Sequence, residues 1–152
     1  MFPEPYFGIL RELIRLRGAL VPFIYSLARE TQVSATPFMR PMWWDHGDIS
    51  LAWAIREQYM FGPLLVRPVA DHVGTPSLVD VWFPSLPGKG EVISWNGDAI
   101  GASNATVSLS APIQLTPVFV PVGSIIPMWP PGLRTGSTAS RSVMWTTWVT
   151  RS

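Results

Sequence analysis

Between Tyr6 and about Val33, apolar residues return every three or four positions. Leu10, Leu13, Ile14, Leu20, Val21, Ile24, Leu27 and Ala28 make the stripe, with Arg11, Glu12, Arg15, Arg29 and Glu30 facing the other way. That is the helical period, and it predicts one long helix. Pro22 should kink or split it, because proline removes one bond and clashes with the preceding turn. Pro3 and Pro5 suit a helix start, where the first donors lack partners anyway. Tyr6, Phe7, Ile9, Leu16, Ala19 and Phe23 widen the stripe beyond a single face. A helix apolar over most of its girth is buried on several sides. Little else in the chain has helical periodicity, so the neighbours of this helix are expected to lie outside it.

From Thr36 to Val69 the pattern changes. Two short apolar runs, Phe38–Trp44 and Leu64–Val69, read as strands flanking a helical turn at Ile49–Met60, with Asp48 as its N-cap. Each run carries an Arg-Pro pair, Arg40-Pro41 and Arg67-Pro68. Proline has no donor, so each pair belongs at a strand end, a bulge or an edge. Beyond Val69 the alternation is of the β kind: Ser77–Phe83, Glu91–Trp95, Thr106–Leu109, Leu115–Val120 and Ser124–Pro127. Asn96-Gly97 reads as a hairpin turn. Strands at this spacing with no helix between them predict a small antiparallel β-sandwich, so the fold class is α+β, a long helix followed by that sandwich. After Pro131 the pattern collapses into Ser, Thr and Arg with isolated Trp145 and Trp148, which reads as an irregular tail.

Composition narrows the function classes. With 47% hydrophobic and 14% charged residues the chain is too apolar to be disordered. Eleven Lys+Arg against ten Asp+Glu, with no basic run, give no case for a nucleic-acid partner. The absence of cysteine removes disulfides and thiolate metal sites. It fits a reducing compartment without excluding secretion. The opening residues carry Glu4 and two prolines in place of the basic start and apolar core of a signal peptide. No membrane span is expected: Gly18–Ala28 is too short, and the uncharged stretch Ala99–Leu133 carries too many prolines.

Few residues carry chemistry. Asp45, His46 and Asp48 form the tightest acidic-plus-His cluster, read as a polar turn that caps the following helix; the rival reading is a metal or acid/base site, although the spacing matches no ligand pattern. His72, beside Asp71, reads as a loop residue. Trp43 and Trp44, neighbours on a predicted strand, should point to opposite faces, one buried and one covering an interface. Stacking on sugar rings is the alternative. Asn104-Ala105-Thr106 is a glycosylation sequon, relevant to a secreted chain. No catalytic, cofactor-binding or metal residue is assigned, and no cofactor is expected.

Taken in order, five stretches resemble the C-terminal part of glycoside hydrolase family 31, the α-glucosidase family: IRLRGALVPFIYSLARE at 14–30, PFMRPM at 37–42, REQYMFGPLLVRPV at 56–69, VDVWFP at 79–84 and TPVFVPVGSIIPMW at 116–129. The family forms are close to "LRY-LLPYLYTL", "PVMRPL", "DDQYMFG-LLVAPV", a "VYLP" strand and "IPVFVRAGSIIP". Four places depart from them: Glu57 for a usual Asp, Arg67 for a small residue, Pro121-Val122 before Gly123, and Asp45-His46-Gly47. The resemblance implies an enzyme with a (β/α)8 barrel followed by β-sandwich domains. Residues 1–47 would be the end of the barrel, 48–131 the first C-terminal β-domain, and 132–152 the tail. It also implies a retaining mechanism with one Asp as nucleophile and a second as acid, two carboxylates about 5–5.5 Å apart. Both belong to upstream motifs without a counterpart here, so the chain reads as an inactive C-terminal fragment of an α-glucosidase-like hydrolase. Its partners would be the rest of the barrel and, in the full-length enzyme, an α-glucoside or oligosaccharide. The route through the endoplasmic reticulum, lysosome or cell exterior stays open for the parent. Two other readings stand beside it: a non-catalytic β-sandwich that binds glycans through exposed Trp, and a truncated product without function.

Overall fold

Pro22 decides the first feature of the structure. In the computed structural model, which describes residues 3–69, 77–85, 92–100, 104–112, 116–130 and 144–147, the expected long helix is two helices of 14 residues, α1 (Tyr6–Ala19) and α2 (Val21–Ser34). Leu20 ends one and caps the other. Pro22 falls in the first turn of α2, where its missing donor has no partner to lose. Splitting the helix there removes the clash that a continuous helix would impose.

Two compact units result. The first joins the residues up to Thr36 to the strands that follow Ser124. In it α2 lies against β9 (Ile125–Met128), which pairs antiparallel with β10 (Met144–Thr147). That last strand lies within the stretch read as irregular tail. Phe23, Leu27 and Ile126 are buried. The Trp129 amide donates to the Ala19 carbonyl at 2.8 Å, satisfying one of the last acceptors of α1. α1 itself buries none of its residues.

The second unit runs from Pro37 to Ser124. β1 (Met39–Pro41), β2 (Tyr59–Phe61), β3 (Leu64–Val66), β5 (Val92–Ser94), β6 (Ala99–Ile100) and β8 (Val118–Pro121) form one antiparallel sheet, in the order β1-β2-β3-β8-β5-β6. β4 (Ser77–Phe83) and β7 (Ala105–Ala111) form a second, paired along seven residues. Val79, Val81, Trp82 and Phe83 of β4 share a buried cluster with Leu65, Val92 and Phe119 of the larger sheet. The Phe83 and Phe119 rings meet edge to face at 4.9 Å. This is the layered, antiparallel core that the alternation predicts.

The Arg-Pro pairs sit where a missing donor is harmless. Pro41 lies on β1, the edge strand, and Pro68 follows the end of β3. Other expectations are corrected. The strand read over Phe38–Trp44 stops at Pro41, and Met42–Asp45 is a helical turn, α3. The helix read over Ile49–Met60 is only α4 (Ser50–Ala54). Tyr59–Phe61 leaves it because β1 and β3 offer a ladder on both sides, and tertiary pairing outweighs local propensity. Asp48 is not the cap: Ile49 holds that position, without a side-chain bond. The Asn96-Gly97 hairpin does form. Ser94 and Asp98 face each other across Trp95-Asn96-Gly97, and Gly97 takes φ +99°, open to glycine without steric cost.

Candidate functional site

α3 and α4 build the most conspicuous surface of the second unit. Trp43 and Trp44 lie on one helical turn, both in solvent at 38% and 48% exposure, so the expected one-in, one-out arrangement of a strand is overturned. A helical turn does not send neighbours to opposite faces. Trp53 comes over from α4 and lies parallel to Trp43, with centroids 5.2 Å apart and planes 12° off parallel. Its indole N–H donates to the Gly47 carbonyl at 2.9 Å, which fixes the ring. The two indoles border a shallow groove of about 470 Å³ that also meets Arg40, Arg56 and Tyr59. Arg40 is held by both carboxylate oxygens of Asp45, at 3.0 and 2.9 Å, and donates further to the Pro37 and Gly62 carbonyls.

A second, open groove of about 500 Å³ lies between β4 and the segment Ile55–Gln58 that follows α4. Its floor is Gln58, 4% exposed. The amide nitrogen donates to the Trp82 carbonyl at 2.7 Å, and the amide oxygen accepts from the Trp82 N–H at 2.8 Å. A side chain thus pairs with a strand as a backbone would. Both hydrogen-bonding groups of a buried residue are satisfied by it. Above it Arg67 donates to Glu57, to the Asp80 carbonyl at 3.1 Å and to the Pro68 carbonyl at 2.6 Å. Glu57 and Arg67 are two of the four departures from the family forms, and the fold brings them together. The longer acid and the added guanidinium answer one another.

That pair supports a graded expectation. Glu57 is 51% exposed and Arg67 11%. Solvent screens the exposed acid, so Glu57→Gln should change stability by less than about 1 kcal/mol. Arg67→Ala abandons two backbone carbonyls as well, and about 1–3 kcal/mol should be lost. Urea midpoints of the two variants check this; equal effects would contradict it.

The Asp45-His46-Asp48 cluster disperses into separate tasks. Asp45 pairs with Arg40. The His46 ring meets Trp82 edge-on at 5.8 Å. Asp48 makes no cap. Glu12 pairs with Arg15, and Asp80 accepts from the Ser108 hydroxyl. Among the described residues no three His, Cys, Asp or Glu gather as a metal site would require. No helix among them is long and apolar enough to cross a membrane. Asp71, His72 and Glu91 lie outside the described residues. Asn104 of the sequon is exposed at φ +51°, at the entry to β7, and Thr106 is exposed on that strand. Among the described residues the chemistry is that of surfaces and struts: stacked rings, engaged ion pairs and a buried amide.

Comparison with known proteins agrees with the residues. A model of the glycosyl hydrolase family 31 C-terminal domain matches residues 35–126, within two residues of the second unit at each end. The chain is 38% identical over 132 residues to neutral alpha-glucosidase C of Mus musculus, covering 84% of this chain and 14% of that protein. Among solved structures, a GH31 dextranase of Flavobacterium johnsoniae superposes with a TM-score of 0.81 at 28% identity, over 93% of this chain and 17% of its own. A GH31 alpha-xylosidase of Xanthomonas citri gives 0.80 at 28%, over 98% and 16%. The chain thus spans about a sixth of the proteins it matches.

Proposed function

Because this chain belongs to glycoside hydrolase family 31, we propose that it is the C-terminal part of a larger α-glucosidase-type enzyme, and that its own part in that enzyme is structural. α1 and α2 would be the end of the catalytic barrel. The unit from Pro37 to Ser124 would be the first β-domain behind it. Hydrolysis of the O-glycosyl bond would use two Asp side chains supplied upstream, one attacking and one protonating.

One observation carries this reading. α1 buries nothing and leaves Tyr6, Phe7, Leu10, Leu13 and Ile14 in solvent. A contiguous apolar face of that kind marks an interaction surface, and a barrel it closes is the partner proposed for it. The stacked Trp43 and Trp53 are read likewise as packing surface, since each covers a ring face that a sugar would need.

The test is behaviour in isolation. Produced alone, the chain should associate through α1, eluting from gel filtration as mixed oligomers. A double substitution, Leu10→Lys with Ile14→Glu, should shift it toward monomer without lowering its melting temperature. A wild-type chain that runs as a soluble, sharply melting monomer would contradict the proposal.

A further inference from the structure

A smaller and more enclosed cavity lies at the other end of the large sheet, beneath the Trp95-Asn96-Gly97 hairpin. Its volume is about 210 Å³, and its lining includes Trp95, Asn96, Asp98, Leu109, Ser110 and Thr116. That is below the roughly 300–1,000 Å³ of sites for drug-sized ligands, and suits a single ring. The walls are aliphatic and aromatic, while a carboxylate, a carboxamide and hydroxyls stand around them. An apolar wall with a few convergent polar groups is the general form of a small-molecule site.

The chemistry selects the ligand class. No Lys, Arg or His is among the described lining residues, so an anionic ligand would meet Asp98 with no cation among them. A pyranose fits instead: its C–H face matches the apolar wall, and its hydroxyls can donate to the Asp98 carboxylate. Oδ2 of that group faces the Ser94 hydroxyl at 3.5 Å, while Oδ1 has the remaining acceptor capacity. Asp98 is exposed. Its backbone N–H is anchored by the Ser94 hydroxyl at 3.1 Å, and the Trp95 amide is anchored by the Val118 carbonyl at 2.8 Å. The hairpin that carries the polar groups is thus fixed before any ligand arrives, which lowers the entropy of binding. We propose that the cavity under this hairpin is a binding site for one neutral pyranose unit. The choice of an α-glucoside as that unit rests on the family reading above.

The test is a titration of the full chain, ¹⁵N-labelled and carried on a solubility partner that binds no sugar, with methyl α-glucopyranoside and isomaltotriose. Saturable shifts at Trp95, Asn96 and Asp98 with a millimolar Kd are expected. Asp98→Ala should weaken binding at least ~10-fold, since a hydroxyl bond to a charged acceptor is among the stronger ones, while Trp53→Ala should leave it unchanged. Absence of saturation, an Asp98→Ala variant that binds as before, or shifts centred on Trp43 and Trp53 would each overturn the proposal. Failure here leaves the structural role untouched, because that role is judged by association and by turnover.

Discussion

Replacing Gln58 with leucine is expected to lower the free energy of unfolding by about 2–5 kcal/mol, although leucine has a similar volume. The reason is the orphaned strand. Trp82 is 3% exposed, and its N–H and C=O have the Gln58 amide as partner. Each buried backbone group left unpaired costs about 1–3 kcal/mol. Leucine fills the space and answers neither. The same change also unties the residue ahead of β2 from Trp82 of β4, so the two layers should loosen together. Urea unfolding followed by tryptophan fluorescence, on the more soluble Leu10→Lys and Ile14→Glu background, gives the number. A midpoint within error of the parent would show that the amide is not a tie between the sheets.

The second large effect is expected at Phe83. Its side chain is fully buried at 0% exposure and meets Phe119 edge to face. Phe83→Ala should cost about 3–5 kcal/mol, through lost burial and the cavity left between the sheets. Part of that belongs to the ring pair. A double-mutant cycle with Phe119→Ala should return a coupling of about 0.5–1.5 kcal/mol. Additive losses would mean that the rings merely share a core. If the variant is too unstable to study, Phe83→Leu keeps most of the volume and should show a smaller loss of the same sign.

Much of this fold is legible from residue order, and the exceptions have physical causes. Val79, Val81 and Phe83 recur two apart within Ser77–Phe83, and β4 takes that range with all three in the core. The Asn96-Gly97 turn is read from chemistry that few other dipeptides satisfy. Pro22 announces a break, and the break is there. The failures cluster between Phe38 and Met60. There, strand and helix propensities are balanced, and the outcome is set by partners distant in sequence: Phe61 pairs with Met39 and with Leu64. Trp53 carries no signal in the sequence, because a lone aromatic in a short helical pattern has no signature. Only the fold brings it over Trp43. Gln58 left a fainter trace, as an amide opening an otherwise apolar run, Tyr59-Met60-Phe61. That is where an amide is either solvated or satisfied from within, and burial decides which.

The Glu57–Arg67 pair teaches a related lesson. Taken singly, each looks like an unexplained departure from the family forms. Ten residues separate them in the chain, and a hairpin closes that distance: β2 and β3 turn at Gly62-Pro63, with Gly62 at φ +58°. Departures that meet in space are read together, not as separate losses.

The proposed role, an accessory β-domain with part of a barrel wall, requires that the reacting acids come from elsewhere. Release of nitrophenol from 4-nitrophenyl α-glucoside by the purified chain tests it most directly. A rate equal to the buffer blank is expected at every protein concentration. Release that rises in proportion to the chain and saturates with substrate would contradict it.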